Sequence, residues 1–175
     1  MVKIFTAYGD GTPDLPHYLV LNQHKMRCAL GKGGVIAQTD KREGDGASPA
    51  GIWPIRHVYY RPDRLSAPQT ALKTLALSPD DGWCDDPASP DYNRHVKLPF
   101  AMRHEKFWRD DHVYDLVVIL GHNDDPVVAG MGSAIFAHLA RPDYSGTEGC
   151  VALALDDMLG LLAAAGPGDA LEIRP

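Results

Sequence analysis

The sequence predicts a mainly β fold, either an antiparallel β-sandwich or a partly closed barrel, with one short C-terminal helix and long loops. Its 14 prolines and 17 glycines are scattered, which favours many short strands and turns over long helices. Short apolar stretches alternate with polar, glycine-bearing segments, a rhythm that is typical of sandwiches and small barrels. A helix is expected only near the C-terminus, from Asp156 onward.

The N-terminal half contains closely spaced strand candidates. A tight connection at Gln23-His24-Lys25 separates two of them, and Gly31-Lys32-Gly33-Gly34 precedes another. A polar loop over residues 41–48 then leads into Pro49-Ala50-Gly51-Ile52-Trp53-Pro54. The predicted strands of this half cover residues 2–7, 17–22, 26–30, 35–38, 56–61 and 71–77.

Residues 82–94 are predicted to form one long loop, because they are polar and show little periodicity. A loop of that length inside a compact domain is usually functional or disordered. Trp83, Cys84 and Tyr92 argue against disorder, so a functional loop is expected here.

The C-terminal part begins with Leu116–Leu120, the most apolar short run, which predicts a buried central strand. A helix is predicted over residues 156–165. Asp156-Asp157 suits the positive end of its dipole, and Gly166-Pro167 stops it. The remaining predicted strands cover residues 134–138, 151–155 and 170–173.

Length and composition suit a single domain over residues 1–175 with a full hydrophobic core. The net charge is −6 and no Lys/Arg cluster is dense enough to follow phosphates, so nucleic acid is not expected as a partner. No apolar stretch approaches the roughly 20 residues that span a membrane, and no secretory signal is visible at the N-terminus. Three cysteines do not form a disulfide framework; one bridge plus a free thiol stays open, with Cys150 expected to be free.

The run Ser145-Gly146-Thr147-Glu148-Gly149-Cys150-Val151 outlines a cysteine acyl-transfer site. Gly149 allows a sharp turn before the strand, and His138 closes a strand whose neighbour could contain Cys150. A thiol with an ordinary pKa of about 8.5 is mostly protonated at neutral pH, so it needs a base, for which His138 is preferred. The backbone N–H groups of Gly149, Cys150 and Glu148 could hold an oxyanion. The alternative is that Cys150 is only a small buried apolar residue.

These residues resemble the L,D-transpeptidase catalytic domain, also called the YkuD-type domain. The signature of that family is a histidine, a spacer, and Ser/Thr-x-Gly-Cys, which His138 and Thr147-Glu148-Gly149-Cys150 match. Further similarity covers most of the chain: Ser48-Pro49-Ala50-Gly51, Gly121-His122-Asn123-Asp124 and the closing helix and strand over residues 155–173. Trp83-Cys84-Asp85-Asp86 with Tyr92-Asn93 is similar to a branch-specific substrate-side loop.

The resemblance implies an L,D-transpeptidase-like β-sandwich or partly closed barrel that acts on peptidoglycan stem peptides without a cofactor. Cys150 attacks the carbonyl that follows meso-diaminopimelate, the terminal D-amino acid leaves, and the acyl group passes to the side-chain amine of an acceptor stem. The backbone carbonyl of Leu139 orients His138. Carbapenem-type β-lactams are expected as inhibitors, and the substrate implies the periplasm or the cell wall.

Two departures from the family pattern bear on substrate binding. Glu148 stands where the family has histidine or a similar residue, and Ala152 stands where arginine is common. Another cation is then expected to bind the substrate carboxylate: Arg141 is preferred, with Arg94 and Arg103 as the other candidates. The alternative for Arg141 is a solvated surface side chain.

Several other residues are predicted near the substrate, each with a structural alternative. His122 could line the cleft, but a turn histidine is the simpler interpretation. Thr147 and Glu148 flank the nucleophile. Asp85 and Asp86 could bind the amine ends of diaminopimelate or be solvated, and Tyr92 and Asn93 could complete a polar pocket or anchor the loop. His104-Glu105 and Asp110-Asp111-His112 fit no zinc signature, so no metal is expected.

Two rival functions remain open from the sequence. If water captures the same thioester, the protein is an L,D-carboxypeptidase or endopeptidase. A protein of another class would keep the fold without catalysis and act as a wall-binding module.

Overall fold

The computed structural model describes residues 2–175, which contain fourteen strands and one α-helix. The strands are β1 (Ile4–Tyr8), β2 (Tyr18–Leu21), β3 (His24–Ala29), β4 (Val35–Ile36), β5 (Ser48–Pro49), β6 (Gly51–Tyr60), β7 (Thr74–Ala76), β8 (Asp81–Cys84), β9 (Arg94–Lys97), β10 (His104–Lys106), β11 (Leu116–Leu120), β12 (Phe136–Leu139), β13 (Val151–Leu153) and β14 (Ala170–Arg174). The helix is α1 (Leu155–Ala164), and a short 3-10 turn covers Gln38–Asp40.

Eight strands form a ring. Their order is β11-β12-β13-β3-β2-β1-β14-β6, and an additional pairing between β6 and β11 joins the two ends. The fold is therefore a mainly β, partly closed barrel, which confirms the predicted fold class. The pairing is mixed, not purely antiparallel, because β1 with β14 and β12 with β13 run parallel.

Two hydrophobic cores lie on opposite faces of the barrel wall. Along β11, Leu116, Val118 and Leu120 belong to one core, whereas Val117 and Ile119 belong to the other. This alternation follows from the two-residue period of a strand. The first core also contains Met158, Leu161 and Leu162 of α1, so the helix packs on the same side.

The second core lies beneath a small sheet of order β10-β8-β9. Trp83 of β8 and Phe107, which directly follows β10, pack against Phe136 of β12 with ring centroids 5.2 and 5.6 Å away. Burying each large side chain contributes roughly 1.5–3 kcal/mol. The small sheet is thereby fixed over the outer face of β11 and β12, the region that carries the candidate site.

The prediction of one loop over residues 82–94 was wrong at both ends. Gly82, Trp83 and Cys84 belong to β8, and Arg94 begins β9. The sequence of β8, Asp81-Gly82-Trp83-Cys84, shows neither polar–apolar alternation nor a continuous apolar run, the two patterns by which strands are recognised. β10 was not predicted for a related reason: it has three residues and no apolar side chain.

Other elements differ from their predicted bounds by a few residues. The strand predicted over 35–38 ends at Ile36, where the 3-10 turn follows. The strand predicted over 134–138 begins only at Phe136, because Ala134 has a φ of +54° that no strand accommodates. The strand predicted over 151–155 stops at Leu153, and α1 starts one residue earlier than expected.

All three cysteines are free and buried, so the alternative with one disulfide does not occur. Within residues 2–175, no helix has both the length and the apolar character that crossing a membrane requires.

Candidate active site

A cavity of about 330 Å³ opens beside the ends of β12 and β13 and is lined by both Cys150 and His138. The two strands are parallel neighbours, with Ala137 opposite Val151 and His138 opposite Ala152. Cys150 directly precedes Val151, so it lies two register steps from His138 on the same face of the sheet. The predicted neighbourhood of the two strands is confirmed by this pairing.

The turn before Cys150 is fixed by backbone geometry and buried hydroxyl groups. Gly149 has a φ of +130°, and a Cβ there would lie 2.7 Å from the carbonyl oxygen of Ala47. Thr147 Oγ1 donates to the Cys150 carbonyl at 2.7 Å and accepts from the Gly149 N–H at 3.1 Å. Ser48 Oγ donates to the Gly149 carbonyl at 2.9 Å. Only glycine fits this position, which explains why it precedes the cysteine.

The N–H group of Gly149 is thus engaged by Thr147 in this structure. An oxyanion role for Gly149, as the sequence predicts, requires this bond to be exchanged for the substrate. That role stays a prediction.

The Cys150 thiol is almost completely buried and has two backbone partners. Its Sγ donates to the Ala134 carbonyl at 3.2 Å and accepts from the Phe136 N–H at 3.4 Å. Burial raises the pKa of Cys150 to about 12, and the negative charge of Glu105 adds to the increase. The resting sulfur is therefore a thiol, which must lose its proton as it attacks.

The His138 imidazole is also buried and is held in one tautomer. Its Nδ1 lies 2.9 Å from the Leu139 carbonyl oxygen, and only a protonated Nδ1 can make that bond. Burial lowers the pKa of His138 to about 4. At neutral pH the ring is uncharged, with the lone pair on Nε2. A neutral imidazole and a neutral thiol that line one cavity can start general-base catalysis when the thiol exchanges its hydrogen bond to Ala134 for one to Nε2.

Tyr114 packs edge-on against His138, with 5.4 Å between the ring centroids. The Tyr114 hydroxyl donates to the carboxyl group of Glu105, which lies on β10 and lines the same cavity. The second core thereby connects the small sheet to the candidate base.

Most charged side chains of the cavity are paired. Arg103 contacts Asp85 at 3.1 Å and lies 3.7 Å from Glu43. Arg109 makes two hydrogen bonds to Asp111, at 2.8 and 2.7 Å. Their charges are largely committed to each other.

Two more pairs complete this set. Lys41, which is buried, pairs with Asp45. Glu148 forms an exposed ion pair of 2.5 Å with Lys32, so its carboxylate is directed toward a cation at the cavity mouth. Glu148 nevertheless raises the pKa of Cys150 slightly, in the direction expected for an acid.

Two charged groups of the cavity have no such partner. Among the described residues, neither Arg141 nor Glu105 takes part in an ion pair. The Arg141 guanidinium is exposed at the cavity, and the hydroxyl of Tyr114 is the hydrogen-bond partner of the Glu105 carboxyl. Burial raises the pKa of Glu105, and the hydrogen bond from Tyr114 and the charge of the nearby Arg109 offset only part of this increase.

Five of the predicted substrate-side residues line the cavity with Cys150 and His138, and the others lie elsewhere. The lining includes Thr147, Glu148, Arg141, Asp85 and Arg103. Asp86, Tyr92, Asn93, His122 and Arg94 do not line it.

Asn93 anchors the loop between β8 and β9. Its side chain accepts from the Trp83 indole and the Ala134 N–H, both at 3.0 Å, and donates to the carbonyls of His122 and Asn123. The carbonyl of Ala134 accepts a hydrogen bond from the Cys150 thiol. Asn93 therefore contributes to the site by fixing the backbone of Ala134.

Two of the other four predicted residues outside the cavity, Tyr92 and His122, have partners elsewhere. Tyr92 donates to Glu43, which also accepts from Ser133 at 2.7 Å. His122 lines a different depression together with Trp53, and its Nε2 lies 3.1 Å from the Met131 carbonyl oxygen.

Several cavity residues were missed by sequence reasoning: Glu105, Tyr114, Arg109, Lys41, Glu43 and Ser133. They come from four separate segments, and none belongs to a recognisable motif. Glu105 was considered only as part of a metal site. Within residues 2–175, no group of three or more His, Cys, Asp or Glu side chains could hold a metal ion.

Comparison with known proteins assigns the chain to a family. The family model of the L,D-transpeptidase catalytic domain matches residues 8–173, so the chain belongs to the L,D-transpeptidase catalytic domain family. No curated protein sequence is significantly similar to the chain. A solved structure that it resembles is Mycobacterium tuberculosis L,D-transpeptidase 1, at 13% identity and a TM-score of 0.42. The match covers 99% of this chain and 62% of the mycobacterial one.

Proposed function

We propose that the chain is a cysteine-dependent L,D-transpeptidase that acts on peptidoglycan stem peptides. The observation that supports this most directly is the shared cavity: it is lined by His138 of β12 and by Cys150, which directly precedes the parallel neighbour β13, and His138 keeps its Nε2 lone pair available. The family supplies the substrate class. Because that substrate belongs to the cell wall, the proposal places the protein in the periplasm or wall.

In the first step, His138 Nε2 takes the thiol proton as Cys150 Sγ attacks the carbonyl carbon of diaminopimelate, which is bonded to the nitrogen of the terminal D-amino acid. The C–N bond to the terminal D-amino acid then breaks, and the imidazolium returns the proton to the leaving amine. The products are a thioester on Cys150 and a free D-amino acid. Backbone N–H groups at residues 148–150 stabilise the oxyanion of the tetrahedral intermediate.

In the second step, the side-chain amine of an acceptor stem attacks the thioester carbonyl. His138 takes a proton from this amine and returns it to the sulfur as the C–S bond breaks. A new amide bond crosslinks the two stems, and the thiol is regenerated. If water replaces the amine, the product is a shortened stem and the protein is a carboxypeptidase.

The test is intact-mass spectrometry after incubation with a carbapenem and, separately, with a tetrapeptide donor. We expect one carbapenem adduct, formed when Cys150 opens the lactam C–N bond. The donor should release one D-amino acid per turnover. Purified muropeptides then separate the two outcomes, because crosslinked dimers indicate transpeptidation and trimmed monomers indicate hydrolysis.

The control is Cys150→Ala, which keeps the buried thiols Cys28 and Cys84. We expect this variant to lose both the adduct and the release of the D-amino acid. An adduct that persists in Cys150→Ala, or the absence of any product from the folded wild type, would contradict the proposal and favour a wall-binding module.

A further inference from the structure

The outer face of four adjacent strands has no covering layer. These strands are β3, β2, β1 and β14, which are neighbours in that order. Their inward side chains belong to the first core, and none of their residues, all of which the structure describes, belongs to the second. Most of the outward positions, which alternate with the core positions, are exposed or half-buried. This side of the barrel wall is therefore open to a ligand.

The open face has more cations than acids. Lys25 and Arg27 come from β3 and Arg174 from β14, whereas Glu172 is the one acidic residue within the four strands. Arg174 lies 2.8 Å from Glu172. Among the described residues, Lys25 and Arg27 take part in no ion pair. Because the chain as a whole has a net charge of −6, this face differs in sign from the protein around it.

Lys25 and Arg27 each lie over an aromatic ring instead of beside a carboxylate. Lys25 Nζ is 4.0 Å from the centre of the Tyr18 ring, and the guanidinium carbon of Arg27 is 4.3 Å from that of Tyr144. A ring face attracts a cation without using its N–H groups, which stay free to donate to an anion. The two side chains are thus held in place as donors to an external acceptor.

The same arrangement continues across the neighbouring strands. Tyr18 lies opposite Arg27 in the strand register, and Tyr8 lies opposite Tyr18, with 5.0 Å between the two ring centroids. Arg174 follows on β14, 6.0 Å from the Tyr8 ring. Four strands cover a width of roughly 15 Å. We call this row of residues the cation strip: Tyr8, Tyr18, Lys25, Arg27, Tyr144 and Arg174.

One end of the cation strip belongs to the loop that carries the nucleophile. In the sequence, Tyr144 lies between Arg141, which lines the cavity, and Cys150. A bridge between Gly31 and Thr147 also joins this loop to the segment that follows β3. A polymer with one repeat unit at Cys150 therefore has further units within reach of the strip.

We propose that the cation strip binds carboxylates of polymeric peptidoglycan, on the glycan chain whose stem occupies the cavity. The inference rests on the proposed function and adds a contact with the same substrate outside the cavity. Successive stems place carboxylates at intervals along the polymer, which complements a row of spaced cations. A free stem peptide fills the cavity alone. The strip should therefore favour the polymer over soluble fragments.

The first experiment measures binding to purified, insoluble sacculi by co-sedimentation, with Cys150→Ala as the parent so that no substrate is consumed. Adding Lys25→Gln and Arg27→Gln together should weaken binding about fivefold. Added salt should weaken binding of the parent, because the contacts are exposed. The control is Lys73→Gln with Lys106→Gln, which removes the same charge from two exposed lysines outside the cavity and should bind like the parent.

Three treatments of the sacculi identify the anion. Conversion of the carboxylates to amides should abolish the difference between the parent and the double variant of Lys25 and Arg27. Acetylation of the amines should preserve it, and so should removal of phosphate-bearing polymers with hydrofluoric acid. A difference that disappears only after hydrofluoric acid would mean that the strip binds phosphate, and the inference would be wrong.

The second experiment compares D-alanine release from sacculi with release from a soluble tetrapeptide, in proteins that keep Cys150. The double variant should be slower than the wild type on sacculi only, and carbapenem labelling verifies that its site is intact. Equal binding and equal rates for the double variant and the wild type overturn the inference and leave the transpeptidase proposal standing. If the wild type releases D-alanine from neither substrate, the proposed function is overturned, while co-sedimentation still decides whether the strip binds carboxylates.

Discussion

His138 has its reactive lone pair on Nε2 because Nδ1 donates to the Leu139 carbonyl, and burial keeps its pKa near 4. A base with that pKa is available over the whole neutral range. We expect the acylation rate of the wild type to be nearly constant from about pH 7 down to pH 5. Below a pKa of about 4 it should fall about tenfold per pH unit. D-Alanine release or carbapenem labelling, measured across this range, checks the prediction.

The matched variants are His138→Gln and His57→Gln. His57 is another histidine whose pKa burial lowers, but it lies on β6 outside the cavity. The acylation rate of His138→Gln should be about 10²- to 10⁴-fold lower, with no inflection near pH 4. His57→Gln should keep both the wild-type rate and the inflection near pH 4. An inflection near pH 6.5 in the wild type would mean that the imidazole is not buried as described.

Among single residues, the sequence predicts those that neighbouring residues in the chain identify. Cys150 is recognisable because Gly149 and Thr147 stand beside it, and His138 because it ends an apolar run. Glu105 and Arg141 differ in kind, because what distinguishes them within the cavity is that neither takes part in an ion pair among the described residues. Pairing is decided by distant residues such as Asp111 and Asp85, so no local pattern reveals it.

The element that positions the nucleophile is the turn between Thr147 and β13. Gly149 in this turn has a φ of +130°, and a Cβ added there would lie 2.7 Å from the carbonyl oxygen of Ala47. We expect Gly149→Ala to destabilise the protein through both strain and displacement of that carbonyl. Gly168→Ala is the control, because Gly168 also has a positive φ, +90°, but nothing lies within 4 Å of an added Cβ.

Chemical denaturation should therefore separate the two variants. Gly168→Ala should cost about 1 kcal/mol from backbone strain alone, and Gly149→Ala about 2 kcal/mol more. Labelling of Cys150 by a carbapenem should be lost only in Gly149→Ala. Equal losses of stability would show that the contact with Ala47 relaxes freely.

Strands formed by continuous apolar runs were predictable, whereas short strands with polar or glycine residues were not. β11 and α1 were recognised from apolar runs and from helix stop signals. β8 escaped recognition because two of its four residues are Asp81 and Gly82, which are rare in strands. The parallel pairing of β12 with β13 depends on how the barrel closes, which the strands themselves do not encode.

At the scale of the whole molecule, burial of histidines sets the response of stability to acid. The pKa values of His57, His122 and His138 are all lowered by burial, that of His138 to about 4 from an ordinary 6.5. Between those two values the unfolded chain binds more protons than the folded one, so acid favours unfolding. The contribution of His138 is fully present above pH 6.5 and is lost as the pH falls toward 4.

The difference between the pKa values of His138 in the unfolded and folded chain corresponds to about 3 kcal/mol of stability, at 1.36 kcal/mol per unit of pKa. Glu105 acts in the opposite direction, since burial raises its pKa and its protonation favours the folded state. Carboxyl groups with lowered pKa values, such as Asp45 and Asp81, add a further loss only below about pH 4. The net free energy of unfolding should therefore decrease from pH 7 to pH 4.5, and urea titrations at several pH values measure it.

In His138→Gln the decrease should be smaller, whereas replacing the exposed His24 by glutamine should leave it unchanged. If the wild type were equally stable at both pH values, or if the two variants behaved alike, the buried neutral imidazole on which the catalytic proposal depends would have to be abandoned.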